Sequence, residues 1–274
     1  MASLMKDAKD LERIAFKIAG EAAGYLRDLY GIEELSIVLG RGASGDTTRK
    51  IDALIEDFVI ELLKNTGLKL NIVSEERGVI KLSDRPDYLV LMDPLDGSLN
   101  YTLGIPNVAV SIVFYDPGTN NISDPVAGAV SNVFLRETYS FDEENVYINK
   151  VKVEKYVSRK SGIAVIYTNN VDTFRKTYLF MKKYFGGDVR LRVLGSAALE
   201  SVYAALGRID LFLHNTGRLR NLDVAGGIAI AKRLGLKYFS LRGEPVNARI
   251  DKIEFLESLV IGKPGSEKIV EFFK

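Results

Sequence analysis

LMDPLDGSLNY, residues 91–101, is the stretch on which both fold and chemistry turn. The apolar run YLVLM (88–92) delivers the chain to Asp93; a proline, a second acid at Asp96 and a glycine follow at once. Such an ending has two readings. Asp93-Pro94 opens a type I turn, and Asp96-Gly97 suits its exit. Alternatively, Pro94 fixes a tight bend that turns both carboxylates, with the Leu95 carbonyl between them, toward shared cations.

Other acids sit in comparable places. Glu75 and Glu76 follow the strand-like NIVS, Asp223 opens the helical DVAGGIAIAKRLG, and Asp52 lies near the start of KIDALIEDFVIELLKNTG. Singly, each is explained by a solvated loop or a helix N-terminus. Together they say more. Strand ends of one sheet can converge on one side. Carboxylates gathered there stay ionised only if cations compensate them. Gly97 and Ser98 then offer backbone N–H groups at a helix start, where phosphate is favoured. Cations beside a phosphate cradle imply metal-assisted phosphoryl chemistry.

Composition narrows the alternatives. The 274 residues contain no Cys, so thiolate nucleophiles, disulfides and Cys-based metal sites are excluded. The one His, His214, rules out a multi-His metal site and reads as structural, at the end of the strand IDLFLH. Any metal must be held mostly by oxygen, which favours Mg²⁺, Mn²⁺ or Ca²⁺. Lys plus Arg is 37 against 36 Asp plus Glu, so charge gives no general reason to expect nucleic acid or an anionic membrane as partner. No apolar run approaches the roughly 20 residues that span a bilayer. The N-terminal MASLMKDAKDLERIA carries charges where a signal peptide needs an apolar core. A cytoplasmic protein is expected.

Along the chain, DLERIAFKIAGEAAGYLRDLYG places Leu11, Ile14, Ala15, Ile18, Ala22, Tyr25, Leu26 and Leu29 on one helical stripe. LGRGASGDTT contains a formal GxGxxG, but a dinucleotide site needs an acid at the end of the next strand; here that distance lands near Glu61, inside a helix. A mobile glycine loop carrying polar side chains is the better reading. Up to about residue 150 the chain is β-rich; beyond it, short strands alternate with helices. This predicts an N-terminal α+β lobe (1–150) with most of the acids and a C-terminal α/β lobe (151–274) that adds Asp223. PGSEKIVEFFK reads as a terminal helix.

With Glu75-Glu76, DPLDGSLNY and the late Asp223-Val224-Ala225-Gly226-Gly227 in place, the sequence resembles the inositol monophosphatase family. That family belongs to the Mg²⁺-dependent, lithium-sensitive sugar phosphatases, which also include fructose-1,6-bisphosphatases. GDTTRKID, with Asp46 and Asp52 six apart, and GSAALE from Gly195 match further family segments. The resemblance implies an α/β (α+β) fold, a five-layered αβαβα sandwich, with the metal site between lobes. It implies that Glu75, Asp93 and the Leu95 carbonyl hold one Mg²⁺, and that Asp93, Asp96 and Asp223 hold a second. A weaker third ion would use Glu75, oriented by Glu76; Mn²⁺ is a possible substitute. Asp52 and Ser98 would polarise the attacking water, and Gly97 and Ser98 amides would hold the phosphate. Asp96 and the turn Gly195, Ser196 and Ala197 would line the substrate side. A homodimer or homotetramer is implied too.

The sequence departs from the animal members near its last acid. Leu222 stands where they carry Trp, and Thr216 is nearest to the position of an inositol-binding acid. Arg218 and Arg220 follow, and Arg190 and Arg192 precede the GSAA turn. Guanidinium in place of an acid favours a second anion on the substrate. The expected activity is hydrolysis of a small sugar or polyol phosphate, inositol 1-phosphate and fructose 1,6-bisphosphate included, without a covalent intermediate. The alternatives are a nucleotide 3′-phosphatase of the 3′-phosphoadenosine 5′-phosphate type and a non-catalytic, metal-binding regulatory protein.

Overall fold

The computed structural model describes residues 6–274. The first five residues of the charged N-terminal stretch lie outside them. The chain opens with helix α1 (Ala8–Asp28), a hairpin of β1 (Val38–Arg41) and β2 (Thr47–Arg49), and helix α2 (Lys50–Lys64). Strands β3 (Leu70–Ser74), β4 (Gly78–Lys81) and β5 (Tyr88–Asp96) follow, then the short helix α3 (Ser98–Leu103). Next come β6 (Ala109–Tyr115), β7 (Ala127–Asn132), β8 (Thr138–Phe141), β9 (Val146–Ile148) and β10 (Val151–Lys152). The remainder is β11 (Ile163–Tyr167), α4 (Val171–Tyr184), β12 (Arg190–Arg192), α5 (Ala197–Ala205), β13 (Leu211–His214), β14 (Leu219–Arg220), α6 (Asn221–Arg233), β15 (Tyr238–Phe239), β16 (Phe255–Leu256) and β17 (Leu259–Gly262).

Eight strands form one sheet in the order β10-β9-β8-β7-β6-β5-β3-β4, and five form a second, β12-β11-β13-β17-β15. Side-chain alternation assigns the layers. Val90 and Met92 of β5 join α1 and α2 in one buried cluster, whereas Leu91 faces α5 and α6 in another. That second cluster also takes Val165 and Phe212 from the smaller sheet. The opposite face of that sheet, with Ala164, Ile166 and Leu213, packs against Phe180 and Met181 of α4. Helices, sheet, helices, sheet and helix thus stack as the five expected layers. The stripe on α1 is observed: Leu11, Ala15, Ile18, Ala22 and Leu26 are buried, joined by Ala19 and Ala23.

Three local expectations change. The glycine loop is an antiparallel hairpin, and the N–H groups of Ala43 and Ser44 at its tip donate to the carbonyls of Glu76 (2.8 Å) and Glu75 (3.2 Å). The terminal segment is a 3₁₀ helix, Ser266–Phe272. The strand does not stop at Asp93 but runs through DPLD to Asp96. In the β5–β6 register Asp93 faces Ser111 and Asp96 faces Ala109, so Pro94 and Leu95 oppose Val110 alone. That is a β-bulge, a place where the missing N–H of proline costs the ladder nothing.

Candidate active site

Register brings the acids together. β3 runs parallel to β5 with Ser74 opposite Met92, so the next residues, Glu75 just beyond the end of β3 and Asp93 still in β5, come side by side. The bulge then lets Asp93 and Asp96 serve one side of the sheet. The Leu95 N–H donates to Asp93 Oδ1 at 3.0 Å, while Asp93 Oδ2 is buried with no hydrogen-bond partner. Asp96 accepts from the Ser196 hydroxyl and from the Ala198 N–H at 3.0 Å. Asp223, in the first turn of α6, accepts from the Arg220 N–H at 2.8 Å.

The side chain of Arg220 lies in the middle. Its guanidinium donates to Asp223 (Nε to Oδ1, 2.9 Å), to Glu75, and to Asp46 at 3.3 Å, and stands 3.8 Å from Asp93 Oδ2. Burial raises the pKa of Asp93 well above the usual range, aided by the charges of Glu75 and Asp96. Burial, then Asp223, pushes Asp96 up to about 8. Burial also raises Glu75. Burial works against the charge on Arg220, but Asp223, Glu75 and Asp93 outweigh it and hold the guanidinium protonated.

Around this cluster lies a cavity of about 330 Å³, lined also by Leu95, Gly97, Ser98, Gly195, Ala197 and His214. Gly97 (φ +90°) caps α3, and a Cβ there would stand 3.0 Å from the carbonyls of Asn107 and Gly195. A larger cleft of about 630 Å³, bordered by Lys237, Tyr238, Arg242 and Glu267, gathers no comparable set of buried acids. Asp52 accepts from the Arg49 N–H at 2.6 Å, and the Arg49 guanidinium donates to Ser98 Oγ at 3.4 Å. Burial pushes Asp52 up to about 7 and does the same to Glu76, which accepts from the Thr48 hydroxyl.

The family model for the inositol monophosphatase family matches residues 7–266. The chain belongs to the inositol monophosphatase family. An inositol-1-monophosphatase of Aeropyrum pernix is 36% identical over 261 residues, covering 93% of this chain and 94% of that protein. A fructose-1,6-bisphosphatase/inositol-1-monophosphatase of Archaeoglobus fulgidus is 31% identical over 271 residues, covering 98% and 100%. Among solved structures, an inositol monophosphatase-fructose 1,6-bisphosphatase superposes with a TM-score of 0.78 at 25% identity, over 95% of this chain and 97% of that one.

Not every residue singled out in the sequence reaches the cavity. Arg192 and Arg218 are exposed and do not line it. Arg220 lines it but turns inward, and carboxylates take up its guanidinium instead of leaving it to receive a second anion. His214 does end its strand; it stacks on Tyr167 (centroids 4.9 Å apart), and burial lowers its pKa to about 4. Sequence reasoning passed over a supporting shell. Tyr167 donates to Glu200, which also accepts from the Leu194 N–H at 2.8 Å, and the Gly195 N–H donates to Tyr167 Oη at 2.8 Å. The signal for Glu200 was an acid inside the otherwise small and apolar AALESVYAA. Asn100, within DPLDGSLNY, ties distant segments of the chain together: its amide donates to the carbonyls of Asn107 (2.8 Å) and Leu194 (2.6 Å).

Proposed function

We propose that this member of a metal-dependent phosphatase family hydrolyses a small sugar or polyol phosphomonoester, inositol 1-phosphate and fructose 1,6-bisphosphate among its substrates. The observation that carries the reading is the buried Asp93, one oxygen unpartnered, behind Glu75, Asp96 and Asp223, which line a cavity edged by Gly97 and Ser98. Four carboxylates against the single Arg220 leave a formal charge of −3 if all are ionised, which suits divalent cations on oxygen ligands. Glu75, Asp93, the Leu95 carbonyl, Asp96 and Asp223 would hold Mg²⁺, in two or three ions, or Mn²⁺. Bound there, such ions supply Lewis-acid charge compensation and make water ionise near neutral pH.

The chain's own groups do the rest. Asp52, ionising near neutrality, accepts the proton of the attacking water, and Arg49 orients both Asp52 and Ser98. The first N–H groups of α3 are free of intrahelical partners and suit phosphoryl oxygens. Glu76, fixed by Thr48, orients the edge of the acid cluster. Gly195, Ser196 and Ala197 carry the substrate side, and Ser196 ties it to Asp96. The lobes 1–150 and 151–274, a cytoplasmic setting and an assembly of two or four copies belong to the same reading. Exposed Leu99, Leu103 and Ile105 support the assembly.

Phosphate release from a panel of inositol 1-phosphate, fructose 1,6-bisphosphate and 3′-phosphoadenosine 5′-phosphate, with Mg²⁺ and with EDTA, tests it. Release of sugar or polyol phosphate only with metal is expected. Release from the nucleotide alone moves the substrate class, and no release from any compound sinks the enzymatic reading.

A further inference from the structure

We infer that Arg220 is a built-in counter-cation: in the metal-free protein its guanidinium stands in for a divalent ion among Glu75, Asp93 and Asp223, and metal binding drives it outward onto Asp46. The inference rests on the metal reading above and concerns a residue to which that reading gives no task.

The geometry argues for it. The Arg220 side chain is only 10% exposed, yet it meets the buried Asp93 and Asp223 and the part-buried Glu75 at once. Among the described residues, no group of three His, Asp or Glu side chains could hold a metal ion as it stands. The guanidinium compensates the charge of those carboxylates, and an arriving cation competes with it for the same oxygens. Asp223 stays in place when the side chain leaves, because the Arg220 backbone N–H also donates to it. The guanidinium has a landing point. Asp46 lies 3.3 Å from Nη1, its side chain is 67% exposed, and it ends the hairpin tip that Ala43 and Ser44 fasten to Glu75 and Glu76. Exchange between the inner acids and Asp46 lets the site fold without metal and leaves affinity set by the difference between two cations.

Calorimetric titration with Mg²⁺, alongside thermal unfolding in EDTA and in saturating Mg²⁺, tests the exchange. Arg220→Met should bind Mg²⁺ roughly tenfold to a hundredfold more tightly than the wild type. It should also unfold at lower temperature in EDTA, with much of the gap closed by Mg²⁺. Asp46→Asn should weaken binding severalfold in the wild type and leave it unchanged in the Arg220→Met background. If Arg220→Met does not fold, Arg220→Lys, which keeps the charge but loses the planar fork, should bind more tightly by a smaller factor. Equal or weaker binding by a folded Arg220 variant overturns the inference, as does an Asp46→Asn effect of the same size in both backgrounds. A wild type that binds no Mg²⁺ overturns the metal reading itself.

Discussion

Gly195→Ala should destabilise the protein far more than its backbone conformation alone requires. Gly195 has φ +89°, so any side chain there meets the left-handed penalty, about 1–2 kcal/mol. Its Cβ would also stand 2.7 Å from Asn100 Nδ2, 2.8 Å from Oδ1 and 3.0 Å from Cγ. Asn100 is buried and cannot yield without releasing the carbonyls of Asn107 and Leu194. Each lost hydrogen bond is worth about 1 kcal/mol net, and a carbonyl left unsatisfied costs about 1–3 kcal/mol. The left-handed penalty and two lost hydrogen bonds total about 3–4 kcal/mol, and more where a carbonyl is left unsatisfied. Gly217→Ala supplies the control: φ is +70° there, with nothing within 4 Å of the added Cβ, so about 1–2 kcal/mol is expected. Urea unfolding of both variants in EDTA measures the difference. Because Ser196 follows Gly195 and bonds Asp96, Gly195→Ala should also lower kcat under saturating Mg²⁺. Equal destabilisation of the two variants, within about 0.5 kcal/mol, would refute the role given to Asn100.

Asp93→Asn keeps the shape of the bulge but removes a charge from the acid cluster; Mg²⁺ titration should show at least about a hundredfold loss of affinity, with phosphate release falling alongside. Glu200 is fully buried, and burial lifts its pKa from 4.5 to about 7. Between those values the folded state holds the proton more firmly than the unfolded one, so stability falls as pH rises, by up to about 3 kcal/mol, and levels off above about 7. Asp52, Glu76 and Asp96 add slopes of the same sign, so Glu200→Gln should reduce the fall by up to that amount in denaturant titrations from pH 4.5 to 8, and an unchanged slope refutes the contribution of Glu200. Arg218 keeps its guanidinium in solvent, free to meet a second phosphate, so Arg218→Ala should raise KM about tenfold for fructose 1,6-bisphosphate and leave that for inositol 1-phosphate unchanged. A shift common to both substrates would end the second-anion idea.

The helices that sandwich the sheets were legible because their period is local. Leu11, Ala15, Ile18, Ala22 and Leu26 recur at helical spacing whatever they pack against, and all are buried. The gathering of Glu75, Asp93, Asp96 and Asp223 was legible for a related reason: three of these acids follow apolar runs and the fourth opens a helix, and strand ends of one sheet converge on one side. The bulge was not. Proline inside a run argues against a central strand, and only the pairing of Asp93 with Ser111 and of Asp96 with Ala109 shows that the ladder resumes beyond it. The partners of Asn100 and Glu200 were hidden as well. They lie on segments far apart in sequence, and a single chain carries no signal of which buried amide will meet which carbonyl.

Arg218 and Arg220 show where pattern reasoning fails at the site itself. The sequence offers both alike as guanidinium groups for a second anion on the substrate. The structure separates them because neither belongs to a long strand. Gly217, at φ +70°, turns the chain just before Arg218, and Arg220 is already the residue that caps α6. Its backbone N–H is committed to Asp223 in the first helical turn, which aims its side chain at the acids that α6 helps to assemble. The same helix start thus delivers a carboxylate and its counter-cation together. Charge composition around the late acid is therefore a poor guide to what the cavity admits: one arginine balances the site from within, and only the other remains free to meet a substrate.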